Sequence, residues 1–285
     1  MVIRRPSLPP GWYPGDRSGV EDELSSWGLW PFAAPVAGKK ARAAIAPHAG
    51  WHFSGRLAAR AIASLGEAET VVVIGGHLPS TSPSLAAMED AVDTPLGALE
   101  IDRELRSALA AALDEAQGRR GILRADSAPD NTVEVQLPLV KLRYPHARLL
   151  WLRAPNGPAA VGLGSALASA AAAVGRGIVC LGSTDLTHYG PAYGFTPKGR
   201  GQQAETWVRE VNDRGLVDAL LALDGVEVLR RGEEEGAACS SGAAAATISF
   251  AVAVGSTEAE LLDYATSLDL RRDESFVGYA AVVYR

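Results

Sequence analysis

Continuous apolar runs alternate along this chain with stretches whose apolar residues recur at helical spacing, and that alternation predicts its elements. The run at 70–76 is continuous and β-branched, as a buried strand is, and 42–47, 147–153 and 177–183 read as further strands. Helical spacing marks 55–65, with Ser54 as its N-cap, 102–116, started by Asp102, and 158–174, stopped at Gly175. Residues 133–143 read as a helix that Pro138 is expected to kink. Helices at 202–222, 225–231 and 240–254 follow, and strands at 259–265 and 277–284 close the chain. Residues 84–101 read as a hairpin turned at Thr94-Pro95-Leu96-Gly97, and a short helix is expected at 22–28. The opening RRPSLPPGWYPGD should run extended over the surface, with Trp12 and Tyr13 placed to close over a pocket. Strands alternating with helices, without a linker, predict the α/β class: one three-layer α/β/α domain over residues 1–285, its strand order not legible.

Composition narrows the function classes. Hydrophobic residues make up 47% and charged residues 21% of 285, which supplies a substantial core and excludes a disordered chain. A net charge of -6 with no Lys/Arg cluster argues against a nucleic-acid partner. Lys39, Lys40 and Arg42, like Arg271 and Arg272, read as ordinary solvated charges. No apolar run reaches membrane-spanning length, so no membrane partner is expected. Arg4 and Arg5 precede prolines instead of an apolar segment, so no signal peptide is read there. With two cysteines, and Cys180 inside a strand-like run, a disulfide framework is not expected, and a soluble cytoplasmic protein is. No GxGxxG opens a helix after a strand and no Walker sequence occurs, which leaves NAD and ATP without a motif.

The candidate chemistry lies where strands should end. His48 follows the 42–47 run, His77 the 70–76 run and His188 the 177–183 run, while Cys239 stands just ahead of a small-residue helix. In open α/β sheets, ligands bind beyond the carboxyl ends of the strands. Imidazoles and a thiol delivered to that edge suit a metal or proton-transfer site, and neutral imidazole suits iron, zinc and copper. Taken singly, each histidine also reads as a satisfied polar residue at a strand end, and Cys239 as a buried thiol. Glu233–Glu235, if close, would raise that thiol's pKa, whereas a bound cation would deprotonate it. Asp185 and His188, three residues apart, share a face if they form a helical turn, and a carboxylate there fixes the imidazole tautomer. His52 follows His48 by four, but Ala49 occupies the Glu position of HExxH, so no metallopeptidase helix is indicated. His52 then reads as a pocket wall or surface residue, and His146 as structural.

The segments PHAGWHFSG, GGHLP, EDAVDTPLG, TVEVQLPLVKLRYP, GSTDLTHYG, AACSSG and ESFVGYAAVVY, with the opening RRPSLPPGWYP, together resemble the Memo family, in order and across nearly the whole chain. Its members share the fold of the class III extradiol (LigB-type) dioxygenases, which implies a mixed central sheet. The resemblance implies that His48, His77 and Cys239 hold a metal, the cysteine standing where a dioxygenase has a carboxylate. It implies a general acid/base role for His188, with Asp185 as its support. Asn131 departs from the family, which usually shows His-Ser-(Ile/Leu)-Glu where this chain reads Asn131-Thr132-Val133-Glu134. Val92 and Ser240 depart likewise, where Trp and Gly are common. Asn131, Glu134, Trp51, Tyr189 and His52 are the residues expected to line the substrate pocket. The implied function is that of a non-heme oxidoreductase, dioxygenase-like, acting with O₂ on a small organic substrate. Fe(II) is the first cofactor expected, with Cu or Zn as alternatives. Two rivals use the same residues: a zinc hydrolase, and a non-catalytic copper- or peptide-binding protein. A homo-oligomer is compatible with the sequence and not legible in it.

Overall fold

Side chains along the central strands divide alternately between two cores, as pleated strands require. Val72, Ile74, Leu150 and Leu152 point into one core; Val71, Val73, Leu149 and Trp151 point into the other. The structure is a computed structural model describing residues 1–32, 40–118 and 120–285. Lys39 lies outside the described residues; Lys40 pairs with Glu67 at 3.5 Å. Helices Arg103–Gln117, Ala159–Val174, Asp213–Leu221, Gly225–Glu235 and Ser241–Ala253 cover the first face. Arg17–Ser26, Trp51–Ser64 and Leu137–Arg143 cover the second. The expected three-layer α/β/α arrangement is therefore present. Each fully buried Val, Leu or Ile contributes roughly 1.5–3 kcal/mol, so both faces help hold the sheet.

The sheet runs in the order Phe276–Tyr284, Ala43–Ala46, Ile178–Ser183, Thr70–Leu78, Arg148–Pro155. The last four are parallel, while Phe276–Tyr284 runs antiparallel to Ala43–Ala46 and to the outer strand Ala259–Thr266. The sheet is mixed, as expected. Ala46 pairs with Ser183 and Ile74 with Gly182, so these three strands end together. Their carboxyl ends deliver His48, His77 and the 184–188 segment to one edge.

Several boundaries differ from the sequence reading. The helix expected at 55–65 begins at Trp51 with Gly50 as its N-cap; Ser54 lies inside it, its hydroxyl donating to the Ala49 carbonyl. The first helix is Arg17–Ser26, capped by Asp16. Residues 133–143 divide into Asn131–Glu134 and Leu137–Arg143, and Pro138 sits in the first turn of the second, where its missing N–H costs nothing. The hairpin is confined to Ala91–Val92 and Leu99–Glu100, while Leu85–Ala86 joins the main sheet. Asp102 caps Arg103–Gln117 and Gly175 ends Ala159–Val174, both as expected. Asp185 and His188 do not form a helical turn. His188–Tyr189 is a short strand paired with Phe276 and Val277. Among the described residues no helix is long and apolar enough to cross a membrane.

Candidate metal centre

Three donors meet at the carboxyl edge of the sheet. The ligand-capable atoms of His48, His77 and Cys239 all lie within 4.8 Å of one another. Each is held by a different device. His48 follows Ala43–Ala46, and its backbone N–H donates to Asp185 Oδ1 at 2.7 Å. His77 has φ 57°, a left-handed conformation that costs a side-chain-bearing residue roughly 1–3 kcal/mol. Its N–H donates to Ser240 Oγ at 3.2 Å, and a Cβ at neighbouring Gly76 would collide with Ser240, so glycine is required for this approach. Cys239 precedes the helix Ser241–Ala253; Asn156 Nδ2 donates to its carbonyl at 3.1 Å.

The outer nitrogens of both histidines are occupied. His48 Nδ1 lies 3.2 Å from Ser183 Oγ, and His77 Nδ1 lies 3.3 Å from Asp130 Oδ2. That leaves each Nε2 free to turn inward, and His48 Nε2 is 3.1 Å from Cys239 Sγ. A metal-ligating histidine almost always has its other nitrogen fixed in this way, by a carboxylate, carbonyl or water. Asp130 is itself held by Arg153, at 3.1 Å, which also reaches Asp126 at 3.4 Å. The donor set, one thiol and two neutral-capable imidazoles with fixed outer nitrogens, fits a single transition-metal ion.

Electrostatics describe the same cluster before a cation enters it. Burial pushes the Cys239 thiol up, but the His48, His188 and His77 imidazoles overcome this and hold it well below the usual thiol range. Burial pulls His77 down, yet Asp130 and the Cys239 thiolate raise it to about 10. His48 is raised in the same manner, burial opposing and Cys239 with Asp185 prevailing. Of the upstream glutamates, Glu234 and Glu235 are paired to Arg230 and Arg231, and the largest influences on the thiol are burial and the three imidazoles.

His188 approaches from the side. Its Nε2 lies 3.7 Å from Asp185 Oδ2, an ion-pair separation too long for a hydrogen bond, and that buried nitrogen has no hydrogen-bond partner among the described residues. Burial pulls its pKa down, but Asp185 and Cys239 outweigh burial and raise it to about 10. Asp185 thus joins the two histidines, its carboxylate also lying 4.0 Å from His48 Nε2. A cavity of about 590 Å³ opens over these groups, walled by Trp12, Phe53, Tyr193 and Tyr279 with Arg271 among its lining residues.

The residues expected in the pocket divide. Asn131 and His52 line the cavity, and Asn131 Nδ2 donates to the His48 carbonyl at 3.1 Å. Glu134 does not line it; its carboxylate accepts from Ser7 and Leu8 N–H groups and from the Tyr13 hydroxyl, tying down the N-terminal segment. Trp51 is buried, with Nε1 donating to the Val135 carbonyl at 3.0 Å, and belongs to the second core. Tyr189 faces away from the cavity, packed with Phe276, Phe195 and Trp207. His146 is exposed at its turn. Asp130, Tyr193 and Arg271 were not anticipated at the site. Asp130 carried a signal, an acid one residue before a helix start, where it caps Thr132 N; Tyr193 and Arg271 carried none.

The Memo-like protein family model matches residues 4–283. The chain is 30% identical to a MEMO1 family protein of Thermococcus onnurineus and 32% identical to one of Pyrococcus abyssi, each match covering both chains in full. A MEMO1 family protein of Methanopyrus kandleri is 34% identical over 85% of this chain and 82% of its own. The match from Arg4 to Val283 takes in every residue of the His48–His77–Cys239 cluster and its Asp185–His188 neighbour, and the chain belongs to the Memo family.

Proposed function

We propose that this protein is a mononuclear metal-dependent oxidoreductase that acts with O₂ on a small organic molecule. The observation that carries the reading is the fixing of both outer imidazole nitrogens, which leaves the inner nitrogens of His48 and His77, two residues lining the cavity, to meet Cys239 in one cluster. Fe(II) held there by two imidazoles and a thiolate would supply open positions for substrate and O₂, as in sites with two histidines and one anionic ligand. The resemblance to the extradiol dioxygenase fold supports the same class. Within that frame the chain's own groups have separate tasks. His188 Nε2, buried and without a hydrogen-bond partner, gives or takes a proton at the substrate, and Asp185 orients it. Trp12, Phe53, Tyr193 and Tyr279 exclude water around an apolar substrate, and Asn131 positions the His48 backbone while facing the cavity. Free cysteines suit a reducing compartment, and we place the protein in the cytoplasm.

Zinc is the competing occupant, because two histidines, one cysteine and a water form a recognised hydrolytic set in which the bound water ionises near pH ~7. The test is metal analysis of protein purified without oxygen, followed by O₂ uptake with a panel of aromatic and enolic substrates. Iron at one equivalent with substrate-dependent O₂ consumption supports the proposal. Stoichiometric zinc with hydrolysis and no O₂ uptake would overturn it.

A further inference from the structure

Behind the candidate metal centre, one helix changes its winding. Gln202–Trp207 continues through a π turn, Val208–Asn212, into Asp213–Leu221. Such turns recur at functional sites, because the extra residue redirects side chains that an α-helix would carry past. Here the turn presents two consecutive polar residues inward, Asn212 at 2% and Asp213 at 0% exposure. Burying an amide and a carboxylate side by side is costly unless both are satisfied.

Both are satisfied by the site. Asp213 Oδ1 accepts from the Thr187 N–H at 3.1 Å and from the Thr187 hydroxyl, while Oδ2 accepts from the Tyr264 hydroxyl at 2.8 Å. Asn212 Nδ2 donates to Thr187 Oγ1 at 2.9 Å and to the Glu235 carbonyl at 3.2 Å. Thr187 stands between Asp185 and His188, and Glu235 ends the helix that leads to Cys239. Gly278 completes the arrangement. Its N–H donates to the Thr187 carbonyl at 3.0 Å, and a Cβ there would collide with the Asp213 carboxylate.

We infer that Asn212 and Asp213 are positioning residues, a clamp that sets Asp185 and His188 through Thr187 and the approach to Cys239 through Glu235. The inference rests on the metal reading above for its consequence, and on the hydrogen bonds alone for its existence. Groups hydrogen-bonded directly to metal ligands change metal affinity by roughly 10–100-fold, and this clamp, which acts one residue further out, should change it by up to about tenfold.

Cobalt(II) binding to the full chain tests the consequence, because a thiolate ligand gives an ultraviolet charge-transfer band. Asp213→Ala and Asn212→Ala should remain folded by circular dichroism, bind one cobalt up to about tenfold more weakly, and shift that band. Asp213→Asn, which keeps an acceptor for Thr187, should restore it. Tyr264→Phe, which removes a bond to the same carboxylate from the other side, should leave cobalt affinity and band unchanged. In the metal-free protein labelled with ¹⁵N-histidine, the His188 ring signals should shift in Asp213→Ala while those of His146 do not. Should Asp213→Ala fail to fold, Asn212→Ala decides. Folded variants with wild-type cobalt affinity, band and His188 signals would overturn the clamp. A wild-type protein without the thiolate band overturns the metal reading instead, and the His188 signals then decide the clamp by themselves.

Discussion

Two cysteines in one molecule meet opposite fates. Cys180 lies inside the strand Ile178–Ser183, fully buried against Thr247, and burial pushes its thiol up to about 12. Cys239, at the carboxyl edge of the same sheet, is held well below the ordinary thiol range by surrounding imidazoles that outweigh burial. Desolvation acts on both and wins only where no charge answers it. The middle of the sheet therefore makes an inert apolar filler of a cysteine, while its edge makes an anionic ligand of one. The same contrast holds for polar groups generally. The sheet interior is built of Val, Leu and Ile, and the edge concentrates His48, His77, Asp185 and His188 within a few ångströms.

The sharpest way to break this comparison is to exchange the fates of the two thiols. Cys239→Ala, like His48→Ala and His77→Ala, should lose most bound metal yet stay folded, because the cores do not depend on these residues. Cys180→Ala should keep a full equivalent, and in metal-free protein iodoacetamide should modify Cys239 well before Cys180. Metal analysis and mass spectrometry decide, and full stoichiometry in any two of the three ligand variants removes the assignment.

Next in size is His188→Ala. A group that moves protons without holding the metal can be deleted at constant metal content. Turnover should then fall by about 10²–10⁴-fold, the usual range for general acid–base catalysis. Loss of metal in this variant would make His188 a ligand.

Asp213 offers a thermodynamic version of the same contrast, a carboxylate that burial pushes up to about 6 from 3.8 despite its hydrogen bonds to Thr187 and Tyr264. A folded-state pKa above the unfolded one means the native state binds the extra proton. Its contribution is full below pH 3.8 and is lost as pH rises through 6. Denaturation of wild type and Asp213→Asn at several pH values should show wild type losing roughly 1–3 kcal/mol relative to the variant between pH ~4 and ~7. A constant difference would show that the carboxylate is not shifted.

Asn131 should matter least. Its side-chain amide donates one hydrogen bond to the His48 carbonyl. Asn131→Ala should cost about 0.5–1.5 kcal/mol, read as weaker metal binding of up to about tenfold. Asn131→His should add a second ionisation to the pH–rate profile. Wild-type kinetics in both variants would place Asn131 outside the working part of the cavity.

From sequence alone, the strand-forming runs and the residues that follow them were determined. A continuous apolar run bounded by glycines or polar residues reads as a strand, and His48, His77 and Asp185 follow such runs closely in the chain. Cys239 lies in the short loop before its helix. Parallel strands in register then had to deliver them to one edge. What only the tertiary structure decided is which way neighbouring side chains face. His188 and Tyr189 are consecutive in a strand, so they point to opposite sides, one to the cavity and the other to a buried aromatic cluster. Trp51 and Glu134 sit beside cavity residues in sequence and face away from them in space, spent on core packing and on the N-terminal segment. The Asp130 contact with His77 and the contacts of the Asn212–Asp213 pair with Thr187 and Glu235 join segments far apart in the chain, and no local pattern encodes those pairings. Apolar burial is proportional to area and legible from composition and period, whereas hydrogen bonds at ~3 Å depend on where distant segments come to rest.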